Sequence, residues 1–231
     1  NFNVYYMLFF GHFLQGLKNE EMRWYLGIIA VSTAIVTLNI SHLYDSPLTA
    51  LRYAAFQVST IITTTGYATT DFALWPVLSH VVLLLLMIAG ACAGSTGGGI
   101  KTTTFFVLLS GIYSAATNHS ERAFHNAIPK DAFRKASVIS MLAVFLVMTA
   151  SYLMLIFDPQ LSLRDVLFEM ISAFSTSGLS TGITPQLSAQ SRILSIIMMY
   201  IGRLGPLTVA SLWYFTIGER VRYPEGTIAI G

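Results

Sequence analysis

Charge is what this sequence has least of. Of 231 residues only 10% are Asp, Glu, Lys or Arg, against about 25% in ordinary globular chains, while 54% are hydrophobic and the mean hydropathy is +0.65. The net charge of +2, with no basic run or aromatic ladder beside it, gives no footprint for a nucleic-acid partner. Cysteine occurs once, at Cys92, so the chain can form no internal disulfide. His12, His42, His80, His119 and His125 are scattered without ligand spacing, and no zinc site follows from them. No nucleophile lies beside a base, so enzymatic chemistry finds no support. There is also no initiator methionine or signal peptide: Asn1 opens directly into "FNVYYMLFFGHFL". The chain reads as starting partway through a helix, as a fragment of a longer protein.

What is present is apolar sequence in long runs. Crossing a bilayer takes roughly 20 helical residues, and Trp24 to Ile40, Ala136 to Phe157 and Ile193 to Ile217 meet that length. Val77 to Ala116 is long enough but interrupted by "GACAGSTGGGIKTTT", and Phe2 to Leu17 is short, as the tail of a truncated span would be. Basic residues concentrate in alternate connections, Lys18 to Arg23, Thr117 to Lys135 and Gly218 to Tyr223. The remaining two, Ser41 to Pro76 and Asp158 to Arg192, are richer in acids. The basic set is therefore expected on the cytoplasmic side. Asp45 and Asp71 could concentrate cations at the outer mouth, or be ordinary solvated acids.

The two outer connections are too long and apolar for simple loops. Pro47 to Ile62 and Ser162 to Phe174 suit short helices, either lying on the membrane surface or re-entering it. An internal repeat decides between these. "LRYAAFQVSTIITTTGYATT" (Leu51 to Thr70) aligns without a gap on "LRDVLFEMISAFSTSGLSTG" (Leu163 to Gly182) at an offset of 112. Leu51, Arg52, Phe56, Thr64, Gly66 and Thr69 meet Leu163, Arg164, Phe168, Thr176, Gly178 and Thr181. Two surface helices would have little reason to share this pattern. Each copy reads as span, pore helix, hydroxyl-and-glycine loop, span, in the manner of parallel transporter repeats. The expected fold is an all-α integral membrane protein of repeated helix, pore helix, helix units with re-entrant loops, like a potassium-channel pore.

The loop chemistry fits a cation. Eight of the fourteen residues in "STIITTTGYATTDF" carry hydroxyls. Irregular backbone at membrane depth is tolerated only where protein buries it or water lines it, and carbonyls with a few hydroxyls can replace an ion's hydration shell. Glycine at Gly66 and Gly178 permits backbone conformations that aim several carbonyls at one axis. The expected contributors are Thr64, Thr65, Gly66, Tyr67, Thr176, Ser177, Gly178 and Leu179. Tyr67 and Leu179 should anchor the loop by their side chains. Oxygen-only sites suit hard cations.

At "TTTGYATTDF", "GACAGSTGGGIKTTTF", "STSGLSTG" and "MMYIGRLGPLT" the sequence resembles the Trk/Ktr/HKT superfamily of potassium transporters, the membrane subunit of TrkH or KtrB type, over nearly its whole length. The resemblance implies K⁺ as the ion carried, four helix-pore-helix repeats in a complete chain, a bacterial cytoplasmic membrane, a homodimer among lipid, and a cytosolic nucleotide-sensing ring of TrkA or KtrA type as partner. By that template residues 1–17 end a preceding repeat, 18–116 form the third, 117–135 a cytoplasmic linker, 136–217 the fourth and 218–231 a cytoplasmic tail. The first two filter segments are missing, which leaves K⁺ versus Na⁺ open.

Two further features take meaning from the resemblance. Gly97, Gly98 and Gly99 break an inner helix, each costing about 1 kcal/mol against Ala, and the family places an intramembrane gate there, with Lys101 directed to the cytoplasm or an acidic partner. The plain alternative is a glycine-rich helix contact. "GSTGGGIKTTT" also resembles a phosphate-binding P-loop, and a membrane enzyme for a phosphorylated substrate is the other class to weigh. Ile100, however, stands where that motif needs glycine before lysine. Arg203 lies within an apolar run and matches the family's positive barrier below the filter. Alternatively it pairs with a helix end or carboxylate.

Overall fold

The computed structural model describes residues 20–211 apart from 93, 118–121, 124–125 and 128–129, together with Phe2, Tyr6, Phe9 and Phe10. Eight helices follow in order: α1 (Glu20–Ile40), α2 (Pro47–Ile62), α3 (Val77–Ala89), α4 (Thr102–Thr117), α5 (Lys130–Phe157), α6 (Leu163–Ser175), α7 (Ala189–Leu204) and α8 (Pro206–Ser211). Their starts are written in the sequence. Ser46 caps α2 by accepting from the Leu48 amide, with Pro47 at the first position where its missing N–H costs nothing. Ser162 caps α6 by accepting from the Asp165 amide and donates to the Asp165 carboxylate, and Ser188 caps α7.

Two helices, Glu21–Leu43 and Asp131–Phe157, are long and apolar enough to cross a membrane, and Val77–Ala89 and Thr102–Thr117 are shorter apolar helices. On α5 the outward face carries Met141, Val144, Phe145, Met148 and Tyr152, all exposed. Water would penalise such a continuous apolar face, and lipid would not.

Two expectations need correction. The span expected from Ile193 to Ile217 is interrupted, because Gly205 takes φ +89° and Pro206 opens the separate α8; residues 212–217, like the tail at 218–231 and most of 1–17, lie outside the described residues. The linker drawn to residue 135 is helical from Lys130 onward. The all-helical architecture is as expected, and the connection between α4 and α5 carries one two-residue antiparallel ladder, β1 (Arg122–Ala123) with β2 (Asn126–Ala127).

The core falls into two clusters, and each borrows from the other half of the chain. Val36, Ile40, Val58, Ile61, Ile62, Phe72, Leu83 and Met87 from α1 to α3 enclose Phe168 and Leu179, which belong to the second repeat. Met154, Val166, Met170, Phe174 and Met198 from α5 to α7 enclose Ile100 from the glycine-rich segment. Phe72 stacks on Phe168 at 5.6 Å between ring centroids. The two repeats are therefore packed as one body at the level of the loops that follow α2 and α6.

Candidate functional site

The repeat is reproduced in backbone geometry. Thr64 and Thr176 have φ of +54° and +55°, the only non-glycine residues with positive φ among those described, and Gly66 and Gly178 have +82° and +80°. Helix α2 ends with the Thr64 amide donating to the Ile61 carbonyl (3.0 Å) and the Thr65 amide to the Thr60 carbonyl (2.8 Å). Helix α6 ends identically, Thr176 to Ala173 (3.1 Å) and Ser177 to Ser172 (3.0 Å). This pairing is the Schellman termination, whose left-handed position is normally glycine. A β-branched threonine there costs of order 1–2 kcal/mol, and such retained strain collects where a loop conformation matters. The offset also carries on beyond the aligned stretch: the 3-10 turns Phe72–Leu74 and Thr184–Gln186, the starts of α3 and α7, and Gly90 with Gly202 are all 112 residues apart.

The two glycine bends touch. A Cβ on Gly66 would lie 2.3 Å from the Ser177 carbonyl oxygen and 3.3 Å from the Gly178 Cα. The C-terminal ends of α2 and α6, with their partial negative charge, thus lead into one place. The hydroxyls around them hold backbone. Thr63 Oγ1 donates to the Ser59 carbonyl (2.6 Å) and lies 2.8 Å from Thr65 Oγ1, while the Tyr67 amide donates to Thr60 Oγ1 (2.9 Å). Leu179 is buried in the first core cluster, as an anchor should be. Tyr67 is not such an anchor: its side chain is 71% exposed, and only its amide is tied down.

The glycine-rich segment sits directly beneath both threonines. The Gly98 amide donates to Thr176 Oγ1 (3.0 Å), and the Gly99 amide to the Gly202 carbonyl on α7 (3.1 Å). A Cβ on Gly97 would stand 3.2 Å from Thr64 Oγ1 and 2.3 Å from the Ala91 Cβ, and one on Gly98 would be 2.5 Å from Thr176 Oγ1. Only glycine fits at these positions. Lys101 Nζ donates to the Gly97 carbonyl, so it fastens its own loop.

A cavity of about 700 Å³ opens beside this contact, lined by Thr63, Thr64, Thr65, Thr96, Thr176 and Arg203, with α7 residues completing the wall. Arg203 is exposed, in the last turn of α7. The structure brings the threonines of both loops, the glycine-rich segment and Arg203 around one space. Among the described residues no cluster of His, Cys, Asp and Glu could hold a metal.

Sequence comparison missed several members of this site. Glu169 is buried and accepts from Thr184 Oγ1 (2.6 Å). Gly202 lies under Phe174, whose carbonyl oxygen a Cβ would meet at 1.8 Å. Extending the 112-residue offset would have found Gly202 opposite Gly90. Nothing in the sequence pairs Glu169 with Thr184.

Comparisons with known proteins give the family and the fold. The family model described as "TrkH: Cation transport protein" matches residues 23–216. The Ktr system potassium uptake protein B of Bacillus subtilis is 32% identical over 126 residues, covering 54% of this chain and 28% of that protein. The potassium/sodium uptake protein NtpJ of Enterococcus hirae is 38% identical over 69 residues, covering 29% and 15%. Among solved structures, the potassium transporter TrkH from Vibrio parahaemolyticus superposes with a TM-score of 0.81 at 24% identity, over 93% of this chain and 49% of that one. The chain thus spans under a third of the length of those two relatives and about half of the structural neighbour. With the family model covering most of the chain and the same fold in the neighbour, this chain belongs to the TrkH cation transport protein family.

Proposed function

We propose that this chain supplies two of the carbonyl-lined segments of a K⁺ uptake pathway in a bacterial cytoplasmic membrane, as part of a multi-pass subunit. The observation that carries this is the contact between the Gly66 and Gly178 bends at the ends of two identically terminated helices. Backbone oxygens of residues 64–67 and 176–179 would replace water around the ion, and the helix C-termini would favour positive charge there. Inward movement needs no covalent step: the membrane potential contributes about 2.3 kcal/mol per charge per 100 mV. The name of the Bacillus subtilis relative, which speaks of a Ktr system, supports a partner subunit, for which a cytosolic nucleotide-binding ring is the candidate, and a homodimer completes the proposed assembly.

The segment Gly97–Gly99 acts as a gate in this account. It packs against Thr64 and Thr176 and is fastened by Lys101 and Gly202. Arg203, lining the cavity below, adds an electrostatic barrier. A phosphate cradle is disfavoured, since the Gly98 and Gly99 amides that would bind an anion are spent on Thr176 and Gly202.

The test is rubidium-versus-sodium uptake by the full-length transporter. Gly66→Ser should shift the preference between the two ions, and Arg203→Ala should raise flux. An unchanged preference in well-expressed Gly66→Ser protein would contradict the filter. A second reading, Na⁺ transport, is favoured by the likeness to NtpJ; sodium uptake exceeding rubidium uptake in the unmodified protein would select it.

A further inference from the structure

We infer that Glu169, through Thr184 and Ser180, is the positioning residue that fixes the outer limb of the second carbonyl-lined segment and thereby its ion preference. This rests on the filter proposal above. It begins from a difference in restraint along the segment. At its inner end, Thr176 is held by the α6 termination and by the Gly98 amide. Beyond Gly178 the side chains of Leu179 and Ile183 are buried in the two core clusters, while nothing lies within 4 Å of a Cβ built on Gly182. Gly178 and Gly182 both have positive φ. Between the two buried side chains, the path through Ser180 and Gly182 is left to polar contacts.

A chain of hydrogen bonds supplies the definition. The Gly182 amide donates to Ser180 Oγ (3.0 Å), Ser180 Oγ and Thr184 Oγ1 share a hydrogen bond of 2.8 Å, and Thr184 Oγ1 donates to Glu169 Oε1 (2.6 Å). Thr184 has one proton and a carboxylate can only accept, so that proton goes to Glu169 and Ser180 donates to Thr184. The anchor is rigid because Glu169 is on α6 and 8% exposed. Its carboxylate shares a cavity of about 270 Å³ with Thr176, Gly178, Leu179 and Ser180. Charge-assisted bonds of this length are the stronger kind. The first repeat has no carboxylate there: Gln57 stands at the Glu169 position with both amide atoms buried and unpartnered, Phe72 stands at the Thr184 position, packed on Phe168, and the outer limb is tied instead through the Tyr44 hydroxyl, which lies 3.3 Å from Thr70 Oγ1 and accepts from Trp75 Nε1 (3.1 Å).

The experiment measures the rubidium-to-sodium uptake ratio of the full-length transporter, normalised to folded protein. Glu169→Ala and Thr184→Val should each lower the ratio several-fold, up to about the tenfold that one charge-assisted hydrogen bond is worth. The double variant should lower it no further than either single one, and Thr184→Ser, which keeps the hydroxyl, should restore it. If the single variants reduce only protein yield and leave the ratio unchanged, or if their effects simply add, the tether is overturned. Gly178→Ser is the control: a changed ratio there with an unchanged one in Glu169→Ala rejects the tether but keeps the filter, whereas unchanged ratios in both reject the two together.

Discussion

The two halves of this chain solve one backbone problem with different side-chain chemistry. Both end a short helix on a strained threonine, turn at a glycine with φ near +80°, and resume a helix at the same offset. Around that shared path the first repeat combines packing, with Phe72, Trp75 and Leu83 buried about it, with hydrogen bonds through Tyr44 to Trp75 and Thr70. The second adds carboxylate contacts, from Glu169 to Thr184 and from Asp158 to Ser188. The backbone path is thus what the two copies share, while the groups that support it differ.

The glycines break the comparison most sharply. Gly66→Ala should be the more damaging of the pair, since its Cβ meets the Ser177 carbonyl at 2.3 Å. Strain and overpacking together come to about 3 kcal/mol or more. Gly178→Ala meets only the Gly66 Cα, at an ordinary contact distance of 3.8 Å, and should cost only the conformational strain, about 1–2 kcal/mol. Thermal unfolding in detergent measures both, and equal losses would contradict the asymmetry.

The buried polar pair comes next. Glu169→Leu strips Thr184 of its acceptor and should destabilise by about 2 kcal/mol. Gln57→Leu removes an amide that is fully enclosed yet unpartnered, and should be neutral or stabilising by up to about 1 kcal/mol. A large loss in Gln57→Leu would mean that the first repeat also relies on a polar tether at this position.

The smallest effect concerns how the first helix of each repeat is tied to the last. Asn39 donates to Ser79 Oγ between α1 and α3 (2.8 Å). Asp158, just past α5, accepts from the Ser188 amide and hydroxyl at the start of α7 (3.1 and 3.0 Å). Hydrogen bonding from Ser191, then Ser188 and Gln160, outweighs burial and holds the Asp158 carboxyl below its usual value. A lowered folded-state value stabilises above the unfolded carboxyl range, near pH 4, and that stabilisation fades as pH falls through the folded value. Protection of the α7-start amides, measured relative to their intrinsic exchange rates, should therefore fall in acid while that of the α3 start is unaffected. Asp158→Asn should abolish the difference.

Much of this was legible in the residues. Helix α2 spans Pro47–Ile62 as its capping serine, proline and apolar length imply, and the aligned repeat foretold the matching loops because a backbone conformation that needs glycine leaves a mark in sequence. The break at Gly205 and Pro206 was hidden inside an apolar run whose hydropathy says nothing of continuity. Tyr67 was misjudged because an aromatic beside a bend suggests an anchor, while its burial depends on neighbours that only coordinates reveal. The contact of Lys101 was unreadable for the same reason: its partner is a carbonyl of its own loop, and carbonyls are invisible in a residue pattern. Long-range pairs such as Gly98 with Thr176 join residues 78 apart that have no sequence relation.

The central claim is that the Gly66 and Gly178 bends present their peptide oxygens to one alkali ion. Anomalous diffraction from crystals of the full-length transporter soaked in rubidium tests it most directly. The account predicts a peak between the two bends, within coordination distance of carbonyls from residues 64–67 and 176–179. Rubidium bound elsewhere in the protein, with no peak at the bends, would contradict it.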